Sequence, residues 1–136
     1  MQIIDIHTHV YPRKVATAAV ESIKEFYRLE GTDMDGTASS LIQRGREAGV
    51  SRFVLLPVAN RAGQVSTINN FIAGQVQEND CFIGLGAVHA EMEDMASEVD
   101  RIAELGLRGI KIHPDFQKFP KSVYLKKSLK FKVQQS

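Results

Sequence analysis

His7 and His9 stand two residues apart near the N-terminus, in QIIDIHTHV. On an extended strand, side chains two apart project from the same face. Two imidazoles so placed can grip one divalent ion from a rigid support. The plainer alternative is a pair of hydrogen-bonded polar residues lining a barrel interior. Far along the chain, LRGIKIHP carries Lys111 and His113 in one phase. With Ile110 and Ile112 turned to covering helices, Lys111 and His113 point inward, toward the pocket that holds His7 and His9. A buried ammonium needs a partner, and the plain alternative for Lys111 is an interior ion pair with Asp5. His89 ends the apolar stretch FIGLGAVH, where glycines fill one phase and Ile83 and Leu85 the other. A surface or helix-facing histidine is its simpler reading. Walker-type glycine loops, a Gly-x-Gly-x-x-Gly helix opening and a Gly-x-Ser-x-Gly elbow are all missing. Cys81 precedes its strand, the wrong end for a nucleophile in a parallel sheet, and reads as structural.

The elements that must position these residues alternate between two periods. Gln2–His9 reads as a strand, with Ile4 and Ile6 on one face and Asp5, His7 and His9 on the other. Pro12 favours a helix start, and Val15, Ala19, Ile23 and Phe26 mark one helical face ending near Arg28. Thr37 can cap a second helix that presents Leu41 and Ile42 and stops at Gly49. FVLLPV, residues 53–58, is a strand covered on both faces. Ser66 can cap a helix carrying Ile68, Phe71, Ile72 and Val76. Residues 82–89 form a third strand, Met95, Val99, Ile102 and Leu105 mark a helix stopped by Gly106, and residues 107–113 form a fourth strand. The order β-α-α-β-α-β-α-β demands crossovers, and hence a parallel sheet covered by helices.

The chain has 136 residues, 43% hydrophobic and 24% charged, with a net charge of +1. That composition suits one globular domain and excludes a disordered or collagen-like chain. No apolar run approaches the roughly 18 residues of a membrane span. The N-terminus carries Asp5, His7 and His9 where a signal peptide needs an apolar stretch. The lone Cys81 offers no disulfide framework and fits a reducing compartment, so a cytoplasmic protein is expected. Charge is uneven. Residues 118–136 hold six lysines and no acid, while the first 117 hold 11 basic and all 16 acidic side chains.

IDIHTHVYP, DGTASSLIQRGREAGVSRFVLLPVA and LGLRGIKIHPDFQKF together resemble the amidohydrolase-related branch of the amidohydrolase superfamily, in order and spacing, over residues 2–120. The resemblance implies a metal-dependent TIM-barrel hydrolase acting on a small organic substrate, with decarboxylation or hydration in some members. It assigns His7 and His9 as metal ligands and places Lys111 and His113 in the substrate lining. It implies a divalent metal, zinc first, with manganese or iron as alternatives. The family's ligands after strands five and six, and its aspartate after strand eight, have no counterpart, because the resemblance stops at strand four.

A full barrel takes about 250 residues. The expected fold is therefore α/β, a parallel (β/α) sheet forming the first half (strands 1–4) of a TIM barrel, over residues 1–120. Residues 121–136 are expected to be a basic tail outside the family fold, produced by a shifted frame or truncation. Two imidazoles fall short of the three protein ligands usual in catalytic zinc sites, so low or no activity is expected of the chain alone. The open half-barrel edges predict a homodimer. The alternative function is a non-catalytic remnant whose basic tail docks an anionic partner. The tail lacks arginine, so nucleic acid is not expected.

Overall fold

The computed structural model describes residues 1–31, 33–120 and 122–124. Strand β1 (Ile3–Thr8) is followed by helices α1 (Arg13–Tyr27) and α2 (Ala38–Glu47). Strand β2 (Val50–Leu55) and a 3-10 turn at Ala62–Gln64 lead into α3 (Val65–Glu78). Strands β3 (Phe82–Gly84) and β4 (Gly86–Ala87), helix α4 (Met95–Glu104), strand β5 (Ile110–Lys111) and the short α5 (Pro114–Gln117) complete the order. All strand pairs are parallel, β1-β2-β3 in one sheet and β4-β5 in the other. Only Leu85 separates β3 from β4. Its amide bonds the Leu55 carbonyl at 3.1 Å, and the Gly86 amide bonds that of Gly109 at 2.8 Å. One kinked segment thus joins β2 on one side to β5 on the other.

The local chemistry explains most boundaries. Thr37 caps α2 by accepting from the Ser40 amide at 3.3 Å, and Asp94 caps α4 from the Ser97 amide at 3.0 Å. Helix α1 ends on Arg28 in the left-handed conformation. Ser66 does not cap α3: the preceding 3-10 turn starts the helix one residue earlier, behind Gln64, which makes no side-chain cap. Gly84 and Gly86 face the helical layer. A Cβ at Gly84 would lie 2.8 Å from Ile72, and one at Gly86 about as close to Ile102. Their missing side chains let α3 and α4 seat directly on the strand.

Two expected faces are corrected. Helix α1 buries Ala16 and Val20 rather than the stripe through Val15 and Phe26, both of which are about half exposed. The helix is turned so that Ala19, Ile23 and Tyr27 look toward the strand ends. Consequently Ile4 and Ile6, expected beneath helices, are 44% and 73% exposed, and Ile110 is likewise uncovered. Register shifts on both sides of Ile4–Asp5 further break the simple alternation along β1. Residues 122–124 are helical, and Tyr124 is buried in the core with its hydroxyl donating to Gln117 Oε1 at 2.8 Å. The rest of the expected basic tail, residue 121 and residues 125–136, lies outside the described residues.

The kink between β3 and β4 is held by a buried side chain that sequence pattern did not flag. Asn69 of α3 is fully buried. Its Oδ1 accepts from the Ala87 amide at 2.7 Å, and its Nδ2 donates to the Ala87 carbonyl at 2.9 Å. The carboxamide acts as one more strand, serving both backbone groups of Ala87 where neighbouring strands diverge. Nδ2 also donates to Glu98 Oε1 at 2.7 Å, and Glu98 pairs with Arg101 at 2.7 Å. Burial pushes the Glu98 carboxyl up, but its bonds to Arg101 and Asn69 outweigh that and hold it below its ordinary value.

Replacing Asn69→Ala strands both Ala87 groups and leaves Glu98 Oε1 with Arg101 alone. At about 1–3 kcal/mol for each buried group left unpaired, the variant is expected to lose roughly 2–4 kcal/mol in chemical denaturation; a loss under about 1 kcal/mol contradicts this network. Because Glu98 is depressed in the folded state, its stabilisation is full above the unfolded carboxylate value, about 4.3, and disappears as pH falls through the lower folded value. Glu98→Gln should therefore flatten the acid limb of a stability-versus-pH curve. An unchanged limb would show that Glu98 contributes nothing to it.

Candidate active site

Beyond the last strand pair, the β1–β2 ladder continues through one peptide. The Leu56 amide donates to the Thr8 carbonyl at 2.9 Å, and the Leu56 carbonyl lies 2.7 Å from His9 Nδ1. Thr8, itself buried, ties its hydroxyl to the Val54 carbonyl at 2.8 Å. These bonds fix the backbone on both sides of His9. A carbonyl can only accept, so Nδ1 of His9 carries the proton and Nε2 keeps its lone pair. This is the outer bond that orients a metal-binding histidine.

His7 is exposed, and its ring centroid lies 5.1 Å from that of His9, at 62°. Both line a cavity of about 450 Å³ with His113, Tyr11, Tyr27 and Phe116. The volume suits a small organic molecule. A larger open hollow of about 770 Å³ between α2 and α3 shares Tyr11 but holds no histidine. We place the candidate site in the smaller cavity because the groups able to do chemistry converge there. Gly36 shapes its rim: at φ +73° its carbonyl accepts from the Tyr11 amide at 2.8 Å, and a Cβ would press on Val20 at 2.8 Å.

His113 plays a different part. It caps α5, its Nδ1 accepting from the Phe116 amide at 3.5 Å, ahead of Pro114 in the first turn. Its proton therefore sits on Nε2, which lies 3.3 Å from the Tyr27 hydroxyl. That nitrogen is a donor toward the cavity rather than a metal ligand. Lys111 is half-buried beneath it, and its charge acts on both His9 and His113. The alternative reading, a Lys111–Asp5 ion pair, does not form: Asp5 instead accepts from the His7 amide at 3.0 Å.

Electrostatics in the cavity run one way. Burial lowers the His9 pKa, and although the Leu56 bond works against this, the neighbouring His7, Lys111 and His113 push it down further. Burial, then Lys111, lowers that of His113. Burial raises that of Tyr11, which keeps its proton. No carboxylate among the described residues lines the cavity. Among the described residues, no group of three His, Cys, Asp or Glu side chains gathers to hold a metal. His7 and His9 thus fit two positions of a metal's coordination shell and no more.

His7, His9 and His113 line one cavity; Lys111, expected in the same lining, is not among the lining residues. The sequence pattern missed Tyr11, Tyr27 and Phe116. Tyr27 follows Ile23 by four residues on α1, so the helical period, correctly phased, would have found it. His89, expected at the surface or toward the helices, is 1% exposed and meets Phe119 edge-on, with ring centroids 5.5 Å apart. It is not in the cavity lining.

Neither a family model nor a curated protein matches the sequence. Among solved structures, the chain is similar to a probable 2-pyrone-4,6-dicarboxylic acid hydrolase from Acinetobacter baumannii with citric acid bound. The TM-score is 0.50 at 22% identity, over 90% of this chain and 46% of that one. The chain spans less than half the length of that protein, and the likeness is one of α/β fold.

The hydrogen bonds assign opposite tautomers to two histidines. Nitrogen-15 spectra of the imidazoles should show His9 protonated on Nδ1 and His113 on Nε2 above neutral pH. The reverse assignment for His9 would remove the argument that its Nε2 is free to bind.

Proposed function

We propose that the chain carries the N-terminal part of an amidohydrolase-type active site, built on the first four strands of a (β/α) barrel. His7 and His9 hold a divalent metal, zinc first and manganese or iron as alternatives. The observation that carries this reading is the 2.7 Å bond from His9 Nδ1 to the Leu56 carbonyl. It leaves Nε2 unprotonated next to the His7 ring, in a cavity of ligand size. Strand order supports the barrel reading, since β1, β2, the β3–β4 segment and β5 follow one another in parallel. Both histidines lie at the C-terminal end of β1, where parallel α/β folds assemble their sites.

When bound, a divalent ion in such a site lowers the pKa of its water and polarises the bond to be attacked. The chain's own residues do the rest. The Nε2–H of His113 supplies a donor on the opposite wall, Lys111 adds positive charge from behind the lining, and Tyr11 and Tyr27 supply hydroxyls. A cavity with these groups and no carboxylate favours a small organic anion, with Phe116 and Tyr27 offering flat apolar surface to it. The similar solved structure, a hydrolase named for a dicarboxylic acid and holding citric acid, agrees with that substrate class. Two imidazoles and no lining carboxylate leave the metal short of a ligand and the water without a proton acceptor. Activity of this chain is accordingly low.

Metal content tests the reading. After equilibration with zinc and removal of excess, the wild type should retain close to one ion per chain, released by a chelator. The double variant His7→Ala/His9→Ala should retain less than a tenth of that. Equal retention in both proteins overturns the site.

A further inference from the structure

Two edges of the sheet lack a neighbour among the described residues. β1 pairs only with β2, and β5 only with β4. Each presents apolar side chains to solvent, with Ile4 and Ile6 exposed on β1 and Ile110 exposed on β5. An uncovered parallel edge of this kind invites another strand. Charge on the two edges is complementary. Asp5 on β1 is exposed and makes no ion pair among the described residues; Lys111 on β5 makes none either. Asp5 stands two residues before His7, and Lys111 two residues before His113. His7 and His113 line the same cavity, so Asp5 and Lys111 each stand two residues before a side chain that reaches it.

We infer that two copies of this chain close on each other, β1 of each lying alongside β5 of the other, with Asp5 facing Lys111 across both seams. A two-fold axis parallel to the strands keeps every neighbour parallel and satisfies both edges at once. Four strand positions from each copy then make eight, the number that closes a small barrel. Closure sets the two His7–His9 pairs on opposite sides of one mouth. The inference rests on the half-barrel part of the proposed function and not on its metal.

The test is sedimentation velocity on the full chain at micromolar concentration, with circular dichroism as a check of folding. The wild type should run as a dimer. Asp5→Lys and Lys111→Asp should each weaken dimerisation at least tenfold, and combining them should restore it. If a reversal unfolds the chain, Asp5→Asn and Lys111→Gln serve instead, each expected to weaken the dimer and, combined, to weaken it no further than either alone. A folded wild-type monomer overturns the inference, whether its own residues or nothing covers the edge. So does a dimer indifferent to these substitutions, or association without a defined stoichiometry. Zinc retention measured on the same samples separates the outcomes: a monomer that keeps its metal refutes the dimer alone, and a dimer without metal refutes the metal site alone.

Discussion

The Leu56 peptide is the point on which the site depends. Its N–H and C=O are the last rung of the β1–β2 ladder, and the rung is closed by a side chain rather than by backbone. Because the acceptor is a carbonyl, the bond does more than orient His9: it selects the tautomer whose other nitrogen is a base. Everything that makes the N-terminal histidine pair chemically useful follows from this. Strand spacing sets His7 beside His9, the Thr8–Leu56 rung holds the end of β1, and burial of His9 favours its neutral form. Without the Leu56 bond, the two rings would be ordinary polar residues at a strand end.

The opposite wall is built on a contrasting principle. His113 spends its Nδ1 lone pair on the start of α5 and so presents a proton, with Tyr27, where His9 presents a lone pair. Lys111 stands behind and disfavours further positive charge on either histidine. The cavity therefore separates a base-bearing wall on β1 from a donor-bearing wall after β5. That polarity is what distinguishes it from the larger hollow between α2 and α3, which is bigger but has no such division.

Much of this was legible in the sequence, and the failures are instructive. Strand spacing singled out His7, His9, Lys111 and His113; the three histidines line one cavity, and Lys111 is not among its lining residues. Capping chemistry placed the start of α2 at Thr37, while α4 was found from its apolar spacing and its Asp94 cap went unnoticed. The face of α1 was misjudged by one residue: Ala16 and Val20 are buried where Val15 and Phe26 were expected to be. Asn69 was invisible, because its role depends on a strand kink that no local pattern announces. For His89, of the two readings offered, burial excludes the surface one; Phe119, which meets its ring, comes from a segment thirty residues later.

The central claim, that the tautomer fixed by Leu56 turns His9 and His7 into metal ligands, is tested most directly by X-ray absorption at the zinc edge of the zinc-loaded chain. The account predicts two imidazole nitrogens at about 2.0–2.1 Å, with oxygen completing the shell. A sulfur neighbour at about 2.3 Å, which only a cysteine thiolate would supply, or a shell of oxygen alone, would contradict it.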